Sequence, residues 1–290
     1  MMNSSESGVE TIAAGPFELS YVIEGSGHPT IVIGSHLYYP RTFSKKLRDH
    51  LQLIFMDHRG FAPSPGAVDQ SEYELEKIVD DVEALRRKLG LPRVAVIGHS
   101  GHAFMALEYG KKYPEHTSHV VMISESPDIG PATMRLAEEN FQALADVDRR
   151  AAEQENIQKF PDEKLKLLSP EEGFVRGYIR NAARIWFDPR FDCTHLWEGV
   201  VPNIEIFGYV WGQVFTEINI TKDIERLVAP VFLALGRYDF IAGPPACWDP
   251  LLSKFPDISV HIFERSGHTP QLEEQQLFDD RLLAWLKDHS

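Results

Sequence analysis

The chain has 290 residues, 43% of them hydrophobic, and its 43 Asp and Glu against 29 Lys and Arg give a formal net charge of -14 at pH 7. The length suits one large α/β domain or a core domain with a sizeable insertion, and the acidic balance argues against nucleic acid and membrane partners, because both reward clustered Lys and Arg. Two distant cysteines predict no disulfide framework, and the lack of a signal-peptide pattern or a long apolar stretch predicts a soluble, cytoplasmic protein.

The first part of the chain alternates short apolar runs with helical patterns. Residues 9–14 and 17–24 predict two short strands, and the second alternates Phe17, Leu19 and Tyr21 with polar residues, as a half-buried strand does. Three nearly continuous apolar runs follow, at residues 30–34, 51–57 and 93–98. The segment 73–90 carries an apolar stripe at helical spacing. Short apolar strands that alternate with amphipathic helices predict βαβ units and a parallel sheet.

This alternation is interrupted and then resumes. A sixth strand is predicted at 119–124, and two more strands and a C-terminal helix follow much later, at residues 229–236, 258–263 and 275–289. We therefore predict an α/β fold with a doubly wound, mostly parallel sheet. Its core domain would comprise residues 1–125 and 226–290, with a helical segment at 126–225, called the insert below, after the sixth strand.

The insert has helical patterns throughout. Ser169, Pro170 and Glu172 form a signal for the start of a helix, with a capping serine, a proline at the first helical position and a glutamate three residues after the cap. A second predicted helix places six apolar residues on one face: Phe207, Val210, Trp211, Val214, Phe215 and Ile218. Such stripes are first of all packing surfaces, so the insert is predicted to have a core of its own.

The segment GHSGH (98–102) lies between the fifth predicted strand and a predicted helix at 103–114. A nucleophile elbow holds a serine on a tight, strained turn at such a junction, and it needs small residues beside the serine. Gly98 meets that need on one side and Gly101 lies on the other, but His102 stands where the pattern Gly-x-Ser-x-Gly has its second glycine. Ser100 is therefore either a nucleophile or only the N-cap of the helix.

A nucleophilic serine needs a base to accept its proton and an acid to orient that base. Asp239 follows the strand at 229–236, and His268 follows the strand at 258–263. In a doubly wound sheet, loops at the carboxyl ends of the strands form the binding crevice. Ser100, Asp239 and His268 are therefore predicted to lie together.

With these motifs the chain resembles the α/β-hydrolase superfamily along nearly its whole length. Four segments in order carry the resemblance: DHRGFAPS (57–64), GHS (98–100), LGRYD (235–239) and SGHTPQLEE (266–274). The chain order Ser, Asp, His is also that of the superfamily. The resemblance implies that Ser100 is the catalytic nucleophile, Asp239 the acid and His268 the base, and that the insert is a helical cap over the active site.

An oxyanion hole needs donors where negative charge develops during acyl transfer. The resemblance places one donor at the backbone N–H of Gly101, directly after the nucleophile. The other comes from the loop after the first parallel strand, where alignment from the strand end gives the backbone N–H of His36. This chain has GSHLYY (34–39) in that loop and lacks the usual His-Gly of the family. The His36 side chain would narrow the pocket, add a donor or pack against the insert.

Three further patterns compete for a chemical role. The 12 histidines include pairs at helical spacing such as His99 and His102, but no His-Glu-x-x-His motif is present, so we predict no metal and no cofactor. His102 is interpreted as filling space beneath the elbow, and a direct role beside Ser100 is the alternative. Asp57 and Arg59 are interpreted as a structural hydrogen-bonded pair.

A serine at the elbow argues against the haloalkane dehalogenase and epoxide hydrolase branches of the superfamily, which use aspartate there. We predict a serine hydrolase that cleaves a small-molecule ester, or a related thioester, lactone or amide, through an acyl-enzyme. The alternative is an aminopeptidase, since AARIW (182–186) and LWEGV (196–200) are similar to the cap of proline iminopeptidases. Those enzymes, however, carry His-Gly-Gly-Pro-Gly in the oxyanion loop and a tryptophan directly after the nucleophile, where this chain has Gly101.

Four side chains are candidates for contact with a small acyl substrate: Leu37 beside the oxyanion loop, and Trp186, Glu198 and Trp211 in the insert. The resemblance to proline iminopeptidases implies that Glu198 holds a free amino terminus, and the other interpretation is a solvated surface residue. Non-hydrolytic roles also stay open, because the same triad serves cofactor-free lyases such as hydroxynitrile lyases and some superfamily members only bind ligands.

Overall fold

A computed structural model describes residues 8–290. Eight strands form one sheet: β1 (Glu10–Ala14), β2 (Phe17–Glu24), β3 (His28–Gly34), β4 (Leu51–Asp57), β5 (Val94–His99), β6 (Thr117–Ile123), β7 (Val231–Gly236) and β8 (Ile258–Phe263). Each overlaps a strand predicted from the sequence. The sequence predicts no signal peptide at the N-terminus, and most of that segment lies outside the described residues.

The strand order across the sheet is β1-β2-β4-β3-β5-β6-β7-β8. Strand β2 pairs antiparallel with β1 and β4, and the neighbours from β4 to β8 are parallel. The chain runs outward from β3 to β4 and returns to β5 on the other side of β3, so the winding direction changes between β3 and β5. The prediction of a doubly wound, mostly parallel sheet is confirmed. Ligands of such sheets bind beyond the carboxyl ends of the strands at the switch point.

Ten α-helices lie among the described residues: α1 (Leu75–Lys88), α2 (His102–Lys112), α3 (Pro131–Leu144), α4 (Val147–Lys159), α5 (Asp162–Leu165), α6 (Pro170–Arg180), α7 (Ala182–Ile185), α8 (Ile204–Tyr209), α9 (Pro270–Glu273) and α10 (Gln275–Asp288). Helices α3 to α8 follow β6 and precede β7, in the segment predicted as the insert. Within residues 8–290, no helix has both the length and the apolar character needed to cross a bilayer.

Burial along the strands follows their sequence pattern. All six residues of β5 and of β7 are buried, as expected for continuous apolar runs in the middle of a sheet, whereas the edge strand β8 is mostly half-buried. Helix α1 buries its predicted stripe, and α2 packs directly behind β5 and β6. Each fully buried large aliphatic or aromatic side chain contributes about 1.5–3 kcal/mol. The carboxyl ends of β5 to β8 are therefore held on a well-packed frame.

The insert contains both predicted helix signals, with one change. Helix α6 begins as expected, since the Ser169 hydroxyl accepts the Glu172 N–H at 3.2 Å and Pro170 is the first helical residue. Helix α8 ends earlier than the predicted apolar face and continues as a π-helical turn at Val210–Val214, so Ile218 lies beyond it. The division of the chain into a core domain and an insert at 126–225 remains a prediction.

Candidate active site

Ser100 occupies a strained turn between β5 and α2. Its φ is +58°, in the left-handed region that non-glycine residues rarely adopt, and its N–H donates to the Ile123 carbonyl of β6 at 2.8 Å. A Cβ on Gly98 would lie 2.0 Å from the His102 carbonyl oxygen, so only glycine fits there. Strand, strained serine and helix follow one another as a nucleophile elbow requires.

The second small residue of the elbow is Gly101. A Cβ on Gly101 would lie 2.5 Å from Nε1 of Trp211, whose ring therefore rests against the Gly101 backbone. His102 begins α2, and its buried ring packs in a cluster with Phe61 and Trp211, at centroid distances of 6.0 and 5.3 Å. A bulky residue is tolerated at position 102 because the close contact falls one residue earlier.

Asp239 and His268 form a buried pair at the ends of β7 and β8. Nδ1 of His268 lies 2.7 Å from Oδ2 of Asp239, and the other carboxylate oxygen accepts the N–H groups of Ile241 and Ala242 at 3.1 and 3.2 Å. Burial alone would lower the pKa of His268, but the Asp239 carboxylate outweighs it and the pKa lies above 6.5. Asp239 therefore orients the ring and stabilises its protonated form.

The loop that carries His268 is fixed by Glu273, a residue that the sequence analysis missed. Glu273 accepts the N–H groups of Gly267 and Thr269 at 3.0 Å each, and the N–H of Phe187 from the insert at 2.5 Å. Burial raises the pKa of Glu273 to about 7, although the three amides oppose this shift. The signal was present in SGHTPQLEE, but a glutamate near the start of a helix is common for other reasons.

Ser100 and His268 line the same cavity, which has a volume of about 660 Å³. Its walls are largely aromatic and apolar, and the residues with large side chains include Tyr38, Tyr39, Phe61, Met134, Phe174, Tyr178, Trp197, Phe207, Trp211 and Ile241. Most of these belong to the insert or to the loop after β3. The cavity is of the size and character that small-molecule sites usually have.

Two buried histidines and Tyr39 form a hydrogen-bonded group beside Ser100. Nε2 of His99 lies 2.6 Å from the His268 carbonyl and donates to it, so Nδ1 of His99 accepts from the Tyr39 hydroxyl at 3.2 Å. Nδ1 of His102 donates to the His99 carbonyl at 2.9 Å. Burial holds the pKa of His99 well below its usual value and lowers the pKa of His102 to about 4. Both rings are therefore neutral, and the hydrogen bond from His102 to the His99 carbonyl links the first turn of α2 to the end of β5.

Glu125, which follows β6, also lines the cavity and was missed from the sequence. Its side chain is buried, and Oε1 accepts the Ser126 N–H at 2.9 Å and lies 3.3 Å from the Ser126 hydroxyl. Burial raises its pKa to about 7, with Asp239 adding to the shift and His268 opposing it. A glutamate after a strand looks like any loop carboxylate in the sequence, so no pattern pointed to it.

The structure contradicts one of the two predicted oxyanion donors, and the other remains a prediction. Within residues 8–290 no acceptor takes the N–H of Gly101, and this amide directly follows Ser100. The prediction for His36 is wrong, because its N–H donates to Oδ1 of Asp57 at 2.8 Å and its ring lies against the same carboxylate. His36 lines a neighbouring cavity of about 720 Å³ rather than the one that contains Ser100.

The predicted pairing of Asp57 with Arg59 is also wrong. Asp57 pairs with His36, and Arg59 turns to the other side, where it binds Asp81 through two hydrogen bonds of 2.6 and 2.9 Å and Glu72 at 2.7 Å. Both side chains are structural, as expected, but they hold different loops. Asp57 fixes the loop after β3, and Arg59 ties the loop after β4 to α1.

The four predicted substrate-contact residues fall in different places. Trp211 lines the Ser100 cavity, and Leu37 lines the neighbouring one. Trp186 does not line the Ser100 cavity, because its ring is 1% exposed and packs on Phe191 at 4.6 Å between centroids. Glu198 is exposed and lies outside both cavities. Of the four, Trp211 alone lines the Ser100 cavity, so the predictions of substrate contact there for Leu37, Trp186 and Glu198 are wrong.

No group of three or more His, Cys, Asp and Glu side chains in the described part of the chain is arranged to hold a metal ion. The polar side-chain groups of the residues that line the Ser100 cavity are hydroxyls, imidazoles, the indole N–H groups of Trp197 and Trp211, and the carboxyl group of Glu125. These groups can move protons and bind polar parts of an organic ligand. Ser100 and His268 line this cavity, and Asp239 is hydrogen-bonded to His268.

The chain matches known proteins over most of its length. The model of the family described as alpha/beta hydrolase fold matches residues 23–275. The AB hydrolase superfamily protein YclE of Bacillus subtilis is 37% identical over 270 residues, covering 93% of this chain and 95% of that protein. Proline iminopeptidase PfmaB of Pestalotiopsis fici is 22% identical and covers 96% and 99% of the two chains. The crystal structure of proline iminopeptidase from Mycobacterium smegmatis superposes with a TM-score of 0.72 at 17% identity, over 97% of this chain and 98% of that one.

Proposed function

The chain belongs to the alpha/beta hydrolase fold family, and we propose that it is a serine hydrolase that cleaves a small-molecule ester through an acyl-enzyme. One observation carries the proposal. Ser100 stands on a strained turn at the floor of an aromatic cavity that His268 also lines, and His268 is bound to a buried Asp239. A strained backbone conformation at a serine between a strand and a helix is typical of a nucleophile elbow.

In this mechanism Nε2 of His268 takes the proton of the Ser100 hydroxyl as the oxygen attacks the ester carbonyl. Asp239 keeps the other ring nitrogen protonated and stabilises the imidazolium that forms. The N–H of Gly101 donates a hydrogen bond to the oxyanion that develops on the ester carbonyl oxygen. His268 then protonates the leaving alcohol, and a water molecule activated by the same ring releases the acyl group and restores Ser100.

An aminopeptidase is the second candidate function. It is favoured by the similarity to proline iminopeptidases, which covers nearly the full length of both chains. The carboxylate that the resemblance assigns to the amino terminus, Glu198, is exposed and outside the cavity, so that assignment gives the aminopeptidase no support. The amide bond is also the harder one to cleave, so ester hydrolysis remains the first proposal.

A paired rate assay tests the two candidates. A short-chain aryl ester and a prolyl arylamide would be incubated at neutral pH with the wild type and with Ser100→Ala. We expect ester turnover that falls by about 10³-fold or more in the variant, because the nucleophile is lost. Arylamide turnover that depends on Ser100 would support the aminopeptidase, and ester turnover that survives in Ser100→Ala would contradict the proposal.

A further inference from the structure

A second strained turn lies one strand away from the Ser100 elbow. Ser124, directly after β6, has a φ of +50°, and its N–H donates to the Ala234 carbonyl of β7 at 2.8 Å. Ser100 does the same one strand earlier, with its N–H on the Ile123 carbonyl of β6. In both turns the sheet hydrogen bonding extends into a left-handed serine. The next residue of the second turn is Glu125, which lines the cavity.

Glu125 is held firmly and yet keeps one oxygen free of protein partners. Its backbone carbonyl accepts Nε1–H of the buried Trp248 at 3.0 Å, and Oε1 is bound by Ser126. Oε2 receives no hydrogen bond from the described residues. Oε2 is not among the fully buried polar atoms without a partner, so it is open to the cavity, where a ligand group that donates a hydrogen bond can reach it.

The rest of the cavity favours a cation as that ligand. None of the described residues that line it is Lys or Arg, and Glu125 is its one Asp or Glu among them. The rings of Phe174, Trp197, Phe207 and Trp211 form much of the wall, and aromatic faces attract ammonium groups. The net charge of -14 also draws cations towards the protein over longer distances.

We propose that Glu125 binds a protonated amine of the substrate, so that the compound taken by this cavity carries an ammonium group beside an apolar or aromatic portion. The ester bond in that compound rests on the proposed function, whereas the ammonium group rests on the cavity alone. Glu125 would then determine specificity, because an analogue without the amine leaves the carboxylate buried and unpaired.

The charge on Glu125 depends on the groups that face it. Burial raises its pKa to about 7, Asp239 after β7 adds to this, and Ser126 and protonated His268 oppose it. His99 and His102 also line the cavity and stay neutral near pH 7, since burial lowers the pKa of each. The ionised form binds an ammonium group, so affinity should rise with pH through 7. Protonation of His268 at low pH acts in the same direction by repulsion.

Calorimetry with 2-phenylethylammonium, and with 2-phenylethanol as its neutral counterpart, tests the proposal without any turnover. An alkylammonium stays charged between pH 6 and 8, as a lysine side chain does. We expect the wild type at pH 8 to bind the ammonium about tenfold or more tightly than the alcohol. The ionised fraction of Glu125 rises from about a tenth to about nine tenths between pH 6 and 8, so the affinity should rise about ninefold.

Glu125→Gln should lose about tenfold in affinity for the ammonium and most of its pH dependence, with a smaller effect on the alcohol. Glu198→Gln is the matched control, since it changes an exposed carboxylate of the insert in the same way and should bind as the wild type does. Equal binding of the two probes by the wild type, or a loss in Glu198→Gln rather than in Glu125→Gln, would overturn the proposal.

Two further arms keep the outcomes separate. If Glu125→Gln does not fold, the preference of the wild type for the ammonium over the alcohol at pH 8 decides: equal binding overturns the proposal, and a preference of about tenfold supports it. Ammonium binding that is present while no ester is cleaved would refute the proposed function and leave the Glu125 site standing. Ester turnover without a preference for the ammonium would do the reverse.

Discussion

Candidate functional residues could be predicted from the sequence in the loops at the carboxyl edge of the sheet. In the helical insert most of these predictions failed. The loops after β5, β7 and β8 hold Ser100, Asp239 and His268; Ser100 and His268 line one cavity, and Asp239 is hydrogen-bonded to His268. In the insert, Trp211 reaches that cavity, whereas Trp186 is buried elsewhere and Glu198 faces solvent.

This difference has a physical cause. The ends of neighbouring parallel strands must lie side by side, so a residue directly after a strand has its position set by the hydrogen-bond register. A residue on a short helix of the insert has its position set by how that helix packs on others, and one helical pattern permits several packings. A side chain in the insert is therefore placed only by the whole structure.

Among the variants that test this difference between the strand-end loops and the insert, Asp239→Asn is expected to lower turnover the most. The variant loses the carboxylate that orients His268 and stabilises its charge, so kcat/KM for an ester should fall by about 10³ to 10⁴-fold. Because Asp239 raises the pKa of His268, and the neutral ring is the base, the acidic limb of the pH–rate profile should move to lower pH in the variant. A limb that stays in place would mean that another carboxyl group controls His268.

An intermediate effect is expected from Glu273→Gln, which weakens the link between the His268 loop and the insert. The amide can accept on one side only, so some of the N–H groups of Phe187, Gly267 and Thr269 lose their partner. We expect kcat to fall about tenfold while KM changes little, because the base is displaced rather than the pocket. A change in KM alone would place the effect in the cavity wall instead.

The smallest effect on turnover, and the direct test of the insert, comes from comparing Trp211→Ala with Trp186→Ala. Removing Trp211 takes one aromatic wall from the cavity and should raise KM about tenfold, with a small change in melting temperature. Removing Trp186 empties a buried site and should cost about 3–5 kcal/mol of stability, with KM within about twofold of the wild type. If Trp186→Ala raised KM and Trp211→Ala cost the stability instead, the assignment of Trp211 to the cavity wall and of Trp186 to the buried core would be wrong.

Some residues could not be found from the sequence for a specific reason. Glu125 directly follows Ser124, whose positive φ is a backbone conformation that no sequence pattern indicates when the residue is serine. The prediction for His36 was wrong because the sequence indicates the loop after β3 but not its hydrogen bonds, and Asp57 accepts the N–H that was assigned to the oxyanion.

His102 departs from the expected motif Gly-x-Ser-x-Gly, and only the contact of Trp211 with Gly101 shows where the small residue is needed.

The sequence by itself determined the α/β fold, the strands, the helical character of the segment between β6 and β7, and the three candidate residues at strand ends. Periodicity and short-range motifs carry that information, because they act through the local backbone and the sheet register. The tertiary structure alone decided which walls surround Ser100, which carboxyl groups are buried and which amide remains free. These properties depend on contacts between residues far apart in the chain, and burial and charge take effect only once those contacts exist.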